Sequence, residues 1–138
     1  MNHNSENELI KELKTNQIKF VYFILGINLA CIGFIANLSM DITVISCFLF
    51  TLLLSITSFL VSTLLGILYL ESFNDSLIWE IYKKRTKSVK DEKNFLQASQ
   101  NFEKSSEATS QYWKWMIRAL YMGIVFFVLW RVLEILFK

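Results

Sequence analysis

Two long stretches without a charged residue constrain this chain more than any other feature of its sequence. The first runs for 21 residues, from Phe20 to Met40, and the second for 29 residues, from Ile42 to Leu70. Helices of water-soluble proteins alternate apolar and polar faces, whereas an uncharged apolar run of about 18 or more residues is typical of a membrane-spanning helix. The sequence therefore predicts that at least two helices cross a bilayer.

A third apolar stretch, residues 115–135, carries aromatic rings at both ends. Trp113 and Trp115 stand at its start and Trp130 near its end. Tryptophan concentrates at the two membrane–water interfaces, so this spacing predicts a third span.

These patterns predict an all-α integral membrane protein with a single membrane domain over residues 1–138. Its three transmembrane helices are expected over residues 20–37, 42–70 and 115–135. Proline is absent and all four glycines lie within apolar stretches, so the polar parts of the chain lack the usual signals of loops. Helix is therefore expected nearly throughout.

Two polar segments accompany the spans. Residues 5–19 have the pattern of a short amphipathic helix, which either lies flat on the membrane or continues into the first span. Residues 71–114 are expected to form a helical hairpin between the second and third spans. Basic residues end its first arm, and Asp91 and Glu92 begin its second, which puts the turn near residues 86–90.

One face of the first span carries small residues, spaced three or four apart: Gly26, Ala30, Gly33 and Asn37. Such a face lets another helix approach closely. Asn28 is the one strongly polar side chain deep in this span. We expect it to need a hydrogen-bonding partner, because an unsatisfied amide in hydrocarbon is costly.

The second span carries a polar stripe, defined as Thr51, Ser55, Ser58, Ser62 and Gly66, again three or four residues apart. In one interpretation the polar stripe is a packing seam against the small residues of the first span, with its hydroxyls bonded to carbonyls of their own helix. In the other it lines a water-filled path, which would lack strong ion selectivity because the stripe has no charge.

Four basic residues cluster near the hairpin turn: Lys83, Lys84, Arg85 and Lys87. They are interpreted either as a solvated face or as a contact with anionic lipid headgroups.

The distribution of Lys and Arg predicts how the chain is threaded. Three lysines precede the first span and eight Lys or Arg lie in residues 71–114, whereas none lies between the first two spans. Positive charge collects on the cytoplasmic side of inner membranes. We therefore expect a multi-pass protein of the inner (plasma) membrane, with its N-terminus and hairpin cytoplasmic and its C-terminus outside. In the alternative, the C-terminal part of the third span does not cross and forms a re-entrant or interfacial helix, and the C-terminus stays inside.

No catalytic constellation is visible. The single histidine is His3, and no glycine-rich phosphate loop exists outside the spans. The chain is thus expected not to be an enzyme and to use no cofactor or metal. Its net charge of +2 gives no clustered basic footprint for nucleic acid, and no small-molecule substrate is inferred.

Two functional classes remain open. The first is a non-enzymatic membrane protein, a homo-oligomer or accessory subunit that presents the cytoplasmic hairpin to a protein partner. The alternative is a pore-forming or membrane-perturbing effector of the holin-like or antiphage-defence type. Both classes have the lipid bilayer as a partner.

Overall fold

The computed structural model describes residues 3–39, 48–89 and 92–136, and all of them are helical. Helix α1 runs from His3 to Ser39, α2 from Phe48 to Val89, and α3 from Glu92 to Leu136. All three are long and apolar enough to cross a membrane. The predicted all-α class and the three candidate spans are confirmed. Residues 42–47 of the predicted second span lie outside the described residues.

Each helix is longer than a bilayer requires. Helix α2 has 42 residues, which is about 63 Å at roughly 1.5 Å per residue, against a hydrocarbon core of about 30 Å. Helix α3 has 45 residues and α1 has 37. A long part of each helix must therefore extend past the hydrocarbon.

Helix α1 continues without a break through residues 5–19. Of the two arrangements expected for this segment, the structure has the one in which it prolongs the first span. Lys14 of this segment reaches Glu80 of α2, with 2.6 Å between the Nζ and Oε2 atoms. A helix lying flat on the membrane would not follow α2 in this way.

Helix α2 lies between α1 and α3 and packs on both. One apolar cluster joins the three helices, with Val21 and Ile24 from α1, Tyr69 and Phe73 from α2, and Met116 from α3. A second cluster lies nearer the opposite end of the spans and contains Ile35, Leu52, Phe59 and Trp130. The core of the molecule thus consists of two apolar layers.

The face of α1 that packs on α2 is formed by residues spaced three, four and seven apart: Val21, Ile24, Asn28 and Ile35. At 3.6 residues per turn these four share one side of the helix. The small residues of α1 fall on the opposite side. The structure therefore leaves the small-residue face of α1 uncovered within one chain.

The parts of α2 and α3 beyond the spans run side by side. Ser72 donates a hydrogen bond to the carbonyl of Ser105 at 3.2 Å, and the Lys83 ammonium lies over the rings of Phe95 and Phe102. Helix α2 continues to Val89, through most of the range expected for the turn. No glycine or proline interrupts it there, and the Thr86 hydroxyl still bonds to the carbonyl of Tyr82.

Candidate functional site: the polar seam between the helices

The polar stripe of α2 faces the interior of the three-helix arrangement along most of its length. Ser55, Ser62 and Gly66 are buried, whereas Thr51 and Ser58 are half-buried. The spacing of three or four residues keeps all five on one side of the helix, as the sequence indicates. Their contacts differ, however, because each meets a different part of α1 or α3.

Ser62 joins all three helices through hydrogen bonds. The Asn28 amide of α1 donates to Ser62 Oγ at 3.0 Å, and Ser62 Oγ donates to the carbonyl of Met116 in α3 at 3.1 Å. Asn28 and Ser62 are both fully buried. The expectation that Asn28 needs a partner is confirmed for its NH₂ group.

Ser55 makes a second hydrogen bond between α2 and α3. Its hydroxyl donates to the carbonyl of Gly123 in α3 at 2.8 Å. At Gly123 the two helices approach so closely that an added Cβ would lie 2.9 Å from the ring of Phe59. The missing side chain at Gly123 is therefore what lets α3 come within hydrogen-bonding reach of Ser55.

Gly66 allows a similar approach on both sides of α2. An added Cβ there would lie 2.8 Å from Leu25 Cδ2 in α1 and 3.2 Å from Met116 Sδ in α3. Gly66 thus sits where the three helices converge, one turn beyond Ser62.

Ser58 behaves differently from Ser55 and Ser62. Its hydroxyl donates to the carbonyl of Leu54, four residues earlier in its own helix, at 2.8 Å. It lies in an open groove beside Arg118 and Ala119 of α3. The expected bonding of stripe hydroxyls to their own helix is therefore seen at Ser58, whereas Ser55 and Ser62 donate to α3 instead.

The expected partner of the polar stripe also needs correction. The polar stripe packs on α3 and on the Asn28 face of α1, and the small residues Gly26, Ala30, Gly33 and Asn37 of α1 are exposed. Nothing lies within 4 Å of a Cβ added at Gly26 or Gly33. The physical reason is Asn28, which must be buried against a partner and thereby turns the small-residue face outward.

Two buried polar atoms have no hydrogen-bonding partner among the described residues: Asn28 Oδ1 and the hydroxyl of Tyr69. Tyr69 stacks near Phe73 and contacts Trp113 at a centroid distance of 5.5 Å. Sequence analysis did not single out Tyr69. Its position seven residues after Ser62, on the same side of α2, was the available signal.

An ion-pair cluster holds α1 to α2 beyond the uncharged run that ends at Leu70. Glu80 binds Lys14 of α1 at 2.6 Å and Lys84 of its own helix at 3.1 Å. The hydrogen bond from Lys14 holds the pKa of Glu80 below its ordinary value; partial burial opposes this effect, and Lys84 adds to it. Glu80 is therefore a carboxylate at neutral pH.

The basic cluster near the hairpin turn is divided among several contacts. Lys83 lies over two rings of α3, Lys84 pairs with Glu80, and Arg85 is exposed. Lys87 belongs to α2, and its side chain lies outside the described residues. The interpretation of this cluster as a headgroup contact stays a prediction.

Within residues 3–39, 48–89 and 92–136, no group of three His, Cys, Asp or Glu side chains is arranged to hold a metal ion. Cys31 is a free thiol, half-buried beside the second apolar cluster, and Cys47 lies outside the described residues.

No family model, curated protein or solved structure matches this chain. Its class follows from the geometry itself. Three long apolar helices, joined by buried hydrogen bonds and carrying an apolar outer surface, define an all-α, multi-pass membrane protein.

Proposed function

We propose that this chain is a non-enzymatic subunit of the inner membrane that assembles through the exposed small-residue face of α1. In this proposal the arms, which are residues 71–89 of α2 and 92–114 of α3, lie in the cytoplasm and are presented to a protein partner. The threading rests on the excess of Lys and Arg around residues 71–114 and before the first span.

The exposed small-residue face of α1 is the main support for this proposal. Gly26, Ala30 and Gly33 are exposed, and space is open around both glycines, although the opposite face of the same helix is buried. Helices in lipid associate through small residues because close backbone approach increases van der Waals contact. A second transmembrane helix, from another copy of this chain or from a larger assembly, fits this face.

The arms supply the second support. Beyond the spans, Ile78, Ile81, Tyr82 and Leu96 are more than half exposed. Apolar side chains clustered on a surface in water mark interaction sites more often than singly scattered ones do. In the proposed orientation, the neighbouring side chains of α2 would meet a cytoplasmic protein.

Disulfide crosslinking within the membrane tests the α1 contact. Cysteine is placed at Ala30 in a variant whose own cysteines are changed to alanine, and a matched variant carries cysteine at Leu29. Both positions are exposed, but only Ala30 belongs to the small-residue face. Oxidation is expected to give dimers from Ala30→Cys and few from Leu29→Cys. Equal yields from the two variants, or no dimer from Ala30→Cys, would remove support for self-assembly through this face.

A photoreactive residue at Ile78 tests the partner of the arms, with Glu103 as the matched exposed position on α3. A single crosslinked product specific to Ile78 in cells is the expected result. If Ile78 gives no crosslinked product while Ala30→Cys still forms dimers, the proposal is limited to self-assembly.

The pore-forming alternative requires the hydroxyls of Ser55 and Ser62 to face water. Both side chains are buried and donate to α3 carbonyls, so a pore would need these bonds to break. A voltage-sensitive dye in cells that produce the chain distinguishes the alternatives. Unchanged membrane potential supports the proposal, whereas depolarisation that is lost in a Ser55→Leu/Ser58→Leu variant of equal abundance would favour the pore.

A further inference from the structure

We infer that a groove between α2 and α3 binds an anionic phospholipid, with the Arg118 guanidinium on the lipid phosphate and one acyl chain along the apolar wall of the groove. The lipid belongs to the leaflet on the side of the arms. Among the described residues, none that lines the groove belongs to α1. Lipid binding here therefore does not depend on self-assembly through the small-residue face of α1.

The groove lies on the outer surface of the second and third spans and has a volume of about 290 Å³. Its wall on α2 extends from Leu65 to Thr57, and its wall on α3 extends from Trp115 to Met122. Eight residues of helix are about 12 Å long, against about 15 Å for one leaflet of the hydrocarbon core. The groove thus begins at the membrane interface marked by Trp115 and follows the two helices into one leaflet.

A positive charge stands at the interfacial end of the groove. Arg118 is exposed and follows Trp115 by three residues, so its backbone lies inside the third span. Its guanidinium carbon lies 5.0 Å from the centroid of the Trp115 ring. Side chains of a helix lean toward its N-terminus, and here that direction leads back to the interface. The guanidinium is therefore held at the depth where lipid phosphates lie.

Arg118 lacks a counter-charge within the part of the chain that the structure describes. The ion pairs found there join other residues, and no acidic side chain lines the groove. At the far end of the same helix, by contrast, Arg131 pairs with Glu134. Charged residues within a span are costly unless they are paired. A phosphate of the surrounding lipid supplies the missing negative charge.

The chemistry of the basic end favours an anionic headgroup. A planar guanidinium donates two parallel hydrogen bonds to two oxygens of a phosphodiester. Lys114, one turn closer to the arms on the same side of α3, adds a second positive charge. A zwitterionic lipid would place its own cation near these two charges, and the groove offers no carboxylate to receive it.

The deeper part of the groove is suited to a hydrocarbon chain. Val61 and Met122 line it with apolar surface. The hydroxyls of Thr57 and Ser58 both donate to the carbonyl of Leu54 in their own helix, at 3.0 and 2.8 Å. Their hydrogen-bond donors are thus already used, and an acyl chain can cover them without leaving them unsatisfied.

Lipid binding to the purified full-length chain in an uncharged maltoside detergent provides the test. Phosphatidylglycerol is the anionic probe, phosphatidylcholine is the zwitterionic probe, and diacylglycerol is the lipid without a phosphate. Native mass spectrometry counts the bound lipid and reports the number of chains in the complex. We expect phosphatidylglycerol to bind more tightly than phosphatidylcholine, and diacylglycerol not to bind.

The Arg118→Gln variant tests the charge. It should weaken phosphatidylglycerol binding by about tenfold, as expected when a hydrogen bond between charged groups is lost. Because the Arg118 side chain is exposed, the lipid-free variant should melt at the temperature of the wild type. Arg131→Gln is the matched control, since it removes the same charge from the same helix at a residue that has a carboxylate partner. It should bind phosphatidylglycerol as the wild type does.

The Val61→Phe variant tests the groove and leaves Arg118 in place. Val61 is 47% exposed, so the helix tolerates a larger side chain there, but the added ring occupies the space proposed for the acyl chain. Phosphatidylglycerol binding should weaken. Val128→Phe, at an exposed position outside the groove, should leave it unchanged.

Four results would overturn the assignment of this lipid site. They are equal affinity of the wild type for phosphatidylglycerol and phosphatidylcholine, wild-type affinity in either Arg118→Gln or Val61→Phe, and equal weakening by Arg118→Gln and Arg131→Gln. The fourth is a dimer that forms without bound lipid and is lost in Arg118→Gln, which would assign Arg118 to a contact between proteins.

Discussion

The amide of Asn28 in α1 donates to the hydroxyl of Ser62 in α2 across 3.0 Å, and Ser62 in turn donates to a carbonyl of α3. One buried serine therefore uses its acceptor for one neighbouring helix and its donor for the other. Such a relay fixes the rotation of both neighbours about α2, since neither bond survives a turn of either helix. These two hydrogen bonds thus determine which faces of the helices remain exposed.

The Ser62→Ala variant should destabilise the protein more than the loss of one hydrogen bond suggests. It leaves the buried Asn28 amide with no partner among the described residues, because Asn28 Oδ1 already has none. We expect a loss of about 1–3 kcal/mol in the free energy of unfolding in mixed micelles. Ser58→Ala is the control, because the Ser58 hydroxyl donates to a carbonyl of its own helix, and it should lower the free energy of unfolding by less than Ser62→Ala does.

A double variant sharpens this prediction. Adding Asn28→Leu to Ser62→Ala removes both members of the pair, so part of the lost stability should return. Losses that simply add in the double variant would contradict the relay.

Two substitutions at Ser55 compare the loss of its hydroxyl with the addition of side-chain volume. Ser55→Ala loses one bond to α3 and should cost about 1 kcal/mol, whereas Ser55→Leu forces extra volume into a fully buried site and should cost about 1–3 kcal/mol or more. The same unfolding assay measures both. Thr57→Leu, at an exposed neighbouring position, should be close to neutral. If Ser55→Leu unfolded like the wild type, the position could not be packed against α3.

Gly123→Ala should destabilise the α2–α3 contact. The added methyl would meet the ring of Phe59 at 2.9 Å, and a buried aromatic ring has little room to move. We expect a loss of about 1–3 kcal/mol, partly recovered when Phe59→Leu is added. Gly33→Ala has open space around it and gains helix propensity, so it should not lower the stability of the single chain. A larger loss of unfolding free energy in Gly33→Ala than in Gly123→Ala would contradict the close packing of Gly123 on Phe59.

The Lys14–Glu80 pair predicts a pH dependence. The pKa of Glu80 is lowered in the folded protein. Its carboxylate therefore stabilises the fold fully above pH 4.5, the ordinary pKa, and this stabilisation is lost as the pH falls through the lowered pKa of the folded state. At neutral pH the wild type should thus have a higher melting temperature than Glu80→Gln. The difference should correspond to about 1 kcal/mol in the free energy of unfolding, since the pair is partly exposed, and it should disappear in acid.

Glu71→Gln, which changes an exposed carboxylate on the same helix, is the control for this experiment. A difference between wild type and Glu80→Gln that stayed constant from neutral pH to strongly acid solution would show that the carboxylate charge is not its cause.

Much of this fold could be predicted from the sequence, because uncharged length and the absence of helix-breaking residues are local properties. The three helices and the need of Asn28 for a partner follow from them. The rotation of the helices does not. Ser55, Ser58 and Ser62 have the same local pattern, and only the position of α3 decides which of them donates to it.

The two faces of α1 illustrate the same limit. Both the small residues and the Asn28 face look suitable for packing, and the sequence alone does not say which of them α2 covers. Likewise, Lys14 and Glu80 are 66 residues apart and meet only because α1 and α2 both continue straight beyond the apolar core. Long-range contacts of this kind have no local signal.

Labelling of introduced cysteines from outside the cell tests the central claim, three crossings with the arms in the cytoplasm, most directly. Single cysteines are placed at Asn37, Ser99 and Leu136 in a variant without its own cysteines, and a membrane-impermeant thiol reagent is added before or after permeabilisation. The account predicts that the cysteines at positions 37 and 136 react in intact cells, and that the one at position 99 reacts only after permeabilisation. Reaction at position 99 in intact cells would reverse the orientation, and protection at position 136 would show that α3 does not cross.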